Sequence, residues 1–76
     1  MTKVQVECYA GSRADEEPRL VVLGDRRLRV LGIARRWQEV DARYFQVRLE
    51  DGDRDVPRHD ERSDEWWLVE VVRASG

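Results

Sequence analysis

The fold turns on one stretch, Arg26-Arg27-Leu28-Arg29-Val30-Leu31-Gly32-Ile33-Ala34-Arg35-Arg36-Trp37-Gln38-Glu39-Val40. Leu28 and Val30 put apolar groups on even positions, whereas beyond Gly32 the apolar Ile33 and Trp37 fall on odd ones. Alternation with period two marks a strand with one face on a core, and a slip of one residue exchanges its faces. A change of phase at a glycine therefore predicts a bulge or sharp bend, where one strand leaves one sheet and enters another. Small barrels turn their corners in this way. The same stretch is rich in β-branched and aromatic residues and is interrupted by Gly32, so it is not read as a helix.

The flanking sequence keeps the same period. Val4, Val6 and Cys8 alternate with Lys3, Gln5 and Glu7, and Phe45, Val47 and Leu49 alternate with Tyr44, Gln46, Arg48 and Glu50. Residues 11–18 are polar and turn-rich and read as a loop. Residues 19–23 form a short apolar run closed by Gly24-Asp25, a tight turn, and Asp51-Gly52 is the strongest two-residue hairpin signal in the chain. Residues 53–59 form a weaker strand, in which Pro57 calls for an edge or an irregularity. After a charged turn at 60–64, residues 65–73 form the last strand. Its adjacent Trp66 and Trp67 must face opposite ways, and period alone leaves open which of them is inside. The expected fold is all-β: a single small antiparallel barrel, or a strongly curled meander of five to six strands, of SH3-like size.

Register yields sharper expectations. Burial favours Trp37 opposite Phe45 and Ile33 opposite Leu49, with an odd-length loop or a bulge near Asp41-Ala42. Arg36, Tyr44, Gln46 and Arg48 then share the outer face, while Arg35 points inward beside Val47 and must reach a carboxylate or the barrel rim. With Asp51-Gly52 as a two-residue turn, Arg48 falls opposite Asp55 as an ordinary cross-strand ion pair.

Composition narrows the function classes. In 76 residues, 39% charged and 41% apolar, a thin core is wrapped in a dense ionic surface, with little volume for a deep catalytic cavity. The net charge of −2 gives no overall attraction to nucleic acid or to an anionic membrane, so only a local patch could supply it. Thirteen of the 14 basic residues are Arg, the side chain suited to bidentate pairing and to stacking on rings. Cys8 is the only cysteine, which rules out an internal disulfide. No apolar run has the length of a signal peptide or a membrane span, so a cytoplasmic protein without a membrane partner is expected.

The chemistry-bearing clusters are weak. Asp51-Gly52-Asp53-Arg54-Asp55 begins like a calcium loop, but the sixth and twelfth positions, which need Gly and Glu, hold Val56 and Arg62. His59, Asp60, Glu61 and Asp64 offer one imidazole among carboxylates, fewer soft donors than zinc usually takes. Cys8 sits in the apolar phase of its strand and reads as a small core residue. No phosphate loop, nucleophile elbow or paired-carboxylate motif occurs, and no cofactor is expected. The binding candidates are the stripe Arg36, Tyr44, Gln46 and Arg48, together with Trp66 and Trp67, one of which remains exposed as an anchor. These point to a non-catalytic binding module, monomeric or a weak homodimer. A protein partner is the leading expectation and single-stranded nucleic acid the alternative; a structural subunit with an exposed edge near Pro57 is a third reading.

The chain resembles an uncharacterised family of short bacterial β domains. The resemblance rests on Tyr9-Ala10-Gly11-Ser12-Arg13-Ala14-Asp15-Glu16, the stretch from Gly24 to Trp37, Tyr44-Phe45-Gln46-Val47-Arg48-Leu49, Arg58-His59-Asp60-Glu61, and Asp64-Glu65-Trp66. Similar domains stand at the C-terminal end of proteins resembling Y-family DNA polymerases, which implies an accessory role in DNA-damage tolerance. Residues 53–57 depart from the family pattern, where aromatic and aliphatic strand residues would be expected.

Overall fold

The computed structural model describes residues 1–8 and 17–73. These form β1 (Thr2–Cys8), β2 (Pro18–Leu23), β3 (Arg26–Glu39), β4 (Ala42–Leu49), β5 (Arg54–Asp60) and β6 (Glu65–Val72). Each strand pairs antiparallel with its neighbours in sequence, and β1 pairs with β6, so the sheet closes into a barrel. The expected all-β antiparallel barrel is therefore the observed fold. Of the loop expected at 11–18, residues up to 16 lie outside the described residues, as does Tyr9–Glu16 of the resemblance; Pro18 already begins β2.

The long strand β3 behaves as its phase change requires. Its first part pairs with β2 and its second with β4. The β3–β4 register shifts twice, between Val30 and Gly32 and between Ile33 and Arg35. Each bulge turns the strand by one residue, and together they carry it round the corner of the barrel.

Two bulges rather than one overturn the expected register. The β3–β4 loop is the even-length pair Val40-Asp41, with Glu39 opposite Ala42 and Asp41 in the left-handed conformation at φ 63°. The Asp41 carbonyl accepts the Glu61 amide at 2.9 Å, which ties this turn to the β5–β6 turn. Trp37 consequently lies opposite Tyr44, not Phe45, and Ile33 opposite Val47, not Leu49. Ile33 still packs on the core while Trp37, four residues on, faces out at 38% exposure. The expectation took one unbroken phase from Ile33 to Trp37, and the bulge at Ala34 breaks it. Arg35 and Arg36 exchange roles for the same reason: Arg35 shares the outer face with Gln46, and Arg36 lies opposite the buried Phe45.

The β4–β5 hairpin also differs from expectation. The Gly52 amide donates to the Leu49 carbonyl, and the Leu49 amide to the Asp53 carbonyl, both at 2.9 Å. Glu50, Asp51 and Gly52 thus form a three-residue loop, with Gly52 at φ 93° supplying the left-handed residue that such loops need. One extra loop residue moves β5 by one position. Arg48 therefore faces Arg54 instead of Asp55, and Asp55 turns inward opposite Val47.

Pro57 makes β5 irregular without making it an edge: the β5–β6 register shifts between Val56 and Pro57, and Pro57 is buried opposite Leu68. With β5 paired on both sides, the exposed edge expected near Pro57 does not exist, and the departure at 53–57 is accommodated as a bulged strand. The core is Val4, Val21, Leu28, Phe45, Val47, Leu49, Trp66 and Leu68, with Val6, Cys8, Leu23, Val30 and Ile33 packed against it. Trp66 is the inner of the two adjacent tryptophans and Trp67 the outer.

Candidate outer-face binding site

Pairing across five strands builds one row on the outside of the barrel. Trp37 of β3 is opposite Tyr44 of β4, Tyr44 opposite Arg58 of β5, Arg58 opposite Trp67 of β6, and Trp67 opposite Lys3 of β1. Directly opposed residues in a sheet point to the same side, with their Cβ atoms about 5 Å apart. The row is therefore a continuous band of three aromatic rings and two cations.

One end of the band is a stacked ring pair with an arginine beside each ring. The Trp37 and Tyr44 rings lie 5.2 Å apart and only 4° from parallel. The Arg35 guanidinium sits 5.3 Å from the Trp37 ring centre, and that of Arg58 5.8 Å from the Tyr44 ring centre. Cations near ring faces are held by the ring quadrupole, so each ring of the pair has its own guanidinium. Arg58 Nε also donates to the Tyr44 hydroxyl at 3.2 Å. That hydrogen bond, with the charge of Asp60, moves the Arg58 pKa further up and keeps the cation in place.

Acids flank the row toward both turns; at the β4–β5 turn Glu50 accepts the Arg29 amide and Asp51 pairs with Arg26. Toward the β5–β6 turn, Asp60 pairs with Arg58 at 3.5 Å and Glu65 with Lys3 at 2.6 Å. The Ser63 and Arg62 amides donate to Asp60 and hold its carboxyl below the usual range; Lys3 does the same for Glu65. Toward the β4–β5 turn lie Arg48 and Arg54, opposite each other. Neither they nor Arg35 form an ion pair with any described acid. An open groove of about 390 Å³ runs between β3 and β5 here, lined by Gly32, Ile33, Ala34, Gln46, Arg48 and Arg54.

The candidates read from sequence divide accordingly. Tyr44, Gln46, Arg48 and Trp67 do share the outer face. Arg36 leaves the group, because it faces the barrel mouth and its Nε is 2.6 Å from Glu17 Oε2. Trp66 leaves it too, buried against Phe45 at 5.8 Å and beneath the His59 ring at 4.5 Å. Trp37, Arg35, Arg58, Arg54 and Lys3 were missed. A two-residue turn at Val40-Asp41 would have placed Trp37 beside Tyr44, and only the β5 register brings Arg58 and Arg54 in. The ion pair expected between Arg48 and Asp55 is absent, since Asp55 points the other way.

The remaining reactive groups are used structurally. His59 Nε2 lies 2.7 Å from Asp64 Oδ1 while its ring covers Trp66. Among the described residues no group of three or more His, Cys, Asp or Glu side chains is placed to share a metal ion. Among them, too, no helix is long and apolar enough to cross a membrane. Asp55 is the exception to good pairing: it is 1% exposed, and neither carboxylate oxygen has a hydrogen-bond partner. Burial, followed by the charges of Asp53 and Asp51, pushes its pKa up to about 6. The chain matches no protein-family model, no curated protein and no solved structure.

Proposed function

We propose that this chain is a non-catalytic binding module, acting in the cytoplasm, whose ligand surface is the outer face of β3 to β6. The observation that carries the reading is the row Trp37–Tyr44–Arg58–Trp67–Lys3. In so small a domain, large aromatics serve first to fill the core, yet three of the six aromatic residues stand in line outside it. Tryptophan, tyrosine and arginine are the residues that dominate interface energetics. The non-catalytic half is supported by how the reactive side chains are engaged: His59 caps Trp66 and bonds Asp64, and Cys8 packs against the core. The resemblance to domains beside polymerase-like proteins supports an adaptor or accessory role in DNA-damage tolerance.

The test is capture from a cell extract by the wild-type chain and by the double variant Tyr44→Ala/Trp67→Ala, with and without nuclease. Wild type should retain material that the variant loses, while circular dichroism shows both folded. Equal retention by the two forms would remove this face as the ligand surface.

A further inference from the structure

Positive charge is left over on one side of the aromatic row. Arg48 and Arg54 are directly opposite on β4 and β5, an arrangement that destabilises a sheet unless something neutralises it. No described acid pairs with either one or with Arg35, whereas the acids near the row are already engaged, Asp60 by Arg58 and Glu65 by Lys3. Arg48 reaches across to β3, where a Cβ at Gly32 would lie in ordinary contact, 4.0 Å from Arg48 Nη2. The result is a groove lined by Gly32, Ile33, Ala34, Gln46 and Val47, with the two guanidinium groups of Arg48 and Arg54 on its wall and open to a ligand from outside. A bound anion would relieve the repulsion between them.

We propose that this face binds single-stranded nucleic acid, with phosphates held by Arg35, Arg48 and Arg54 and bases laid along the aromatic row. The inference rests on the reading of the outer face as the ligand surface, and names its occupant. Along β4, Tyr44 and Arg48 are four residues apart, roughly 14 Å at about 3.4 Å per residue, so rings and cations form parallel tracks on either side of Gln46. A single strand has this pattern, planar bases on one side of a charged backbone. Bases stack on guanidinium planes as well as on aromatic rings, so Trp37, Tyr44 and Arg58 offer planar surfaces to bases while Arg35 is left to a phosphate. Trp67 adds a ring at the other end of the row. A duplex shows its bases only through grooves, and among the described residues this face presents strands and no helix to enter one. From Trp37 to Lys3 the row crosses five of the six strands of the closed barrel, an arc of roughly 19 Å at about 4.8 Å between strands that a bound strand would follow round the curve. That length suits the lower end of sites on small barrels, about 4 nucleotides. The overall charge of −2 is no obstacle, because the acids beside the face are engaged elsewhere: Glu50 by the Arg29 amide, Asp51 by Arg26, Asp60 by Arg58 and Glu65 by Lys3.

The experiment follows tryptophan fluorescence while the whole chain is titrated with oligothymidylate or oligouridylate of about 12 nucleotides, which spans the site with margin. Three neutralised phosphates give a slope of log K against log salt near −2, about 20-fold weaker binding from ~50 to ~200 mM. Arg48→Ala/Arg54→Ala should weaken binding at low salt and flatten the slope to about −0.7. Trp67→Ala should weaken it on the order of 10-fold with the slope unchanged, since a stacked base and not a phosphate contact is lost. Thermal melting of each variant verifies folding. Absence of binding at ~20 mM salt overturns the inference, and so does a slope unaltered in the arginine variant or equal affinity for duplex. If oligonucleotides fail while nuclease-resistant capture still depends on Tyr44 and Trp67, the occupant is a protein and only this inference falls. If both fail, the binding face falls with it.

Discussion

Asp55 offers the most direct measurement of what the β4–β5 register costs the fold. The three-residue loop turns its side chain inward, where neither oxygen finds a donor. Burial, with Asp53 and Asp51 adding to it, lifts the carboxyl from 3.8 to about 6. The folded chain therefore holds this proton more tightly than the unfolded chain does. Stability is fully present below about pH 3.8 and is lost as pH rises through about 6. A shift of that size corresponds to about 3 kcal/mol at neutral pH, at about 1.4 kcal/mol per unit. For a domain of this length, whose whole stability is of the order of 4–11 kcal/mol, that is a large fraction. Asp55→Val removes the charge and both orphan oxygens while keeping a β-branched strand former of similar size. It should stabilise the protein by about 3 kcal/mol near pH 7.5, raising the melting temperature by roughly 10 °C or more. Near pH 4.5 the gain should shrink to about 1 kcal/mol, because most Asp55 is protonated in the fold there. Asp55→Asn should remove the pH dependence but gain less, since its amide is equally orphaned. Urea denaturation of the three proteins at the two pH values is the assay. If the gap between wild type and Asp55→Val were the same at both, or if Asp55→Val were the weaker protein at neutral pH, Asp55 would not be a buried, unpaired carboxylate.

Other perturbations separate neighbouring residues with different roles. Trp66→Ala empties the core beside Phe45 and should cost about 3–5 kcal/mol, enough to unfold much of the protein, whereas Trp67→Ala should cost roughly 1–2 kcal/mol; urea midpoints decide. Gly24→Ala, at φ 61°, should destabilise by about 1–2 kcal/mol in thermal melts. Gly32→Ala, where the added Cβ meets only the end of Arg48 at 4.0 Å, should stay within about 0.5 kcal/mol of wild type. Asp60→Ala should lower the melting temperature at neutral pH through loss of the Ser63 and Arg62 amide bonds. Because the Asp60 carboxyl is held down in the fold, its contribution is lost as pH falls through the folded value, so the deficit should close in melts well below about pH 4.

Alternation alone determined the strands and the all-β class, but left a closed barrel and a curled meander both open until the β1–β6 pairing decided for the barrel. Val4, Val6 and Cys8, then Phe45, Val47 and Leu49, and the phase change at Gly32 were enough for the strands, because a side chain's environment repeats every two residues along a strand. Which outer residues become neighbours depended on the turns, where one residue more or less exchanges the faces of a whole strand. The bulge at Ala34 sent Trp37 and Arg35 outward, and the third loop residue in Glu50–Gly52 set Arg48 against Arg54 and buried Asp55. Turn length and bulge number follow from how six strands close around one core. Local pattern carries little of that information, so the row from Trp37 to Lys3 emerged only from the pairing of five strands.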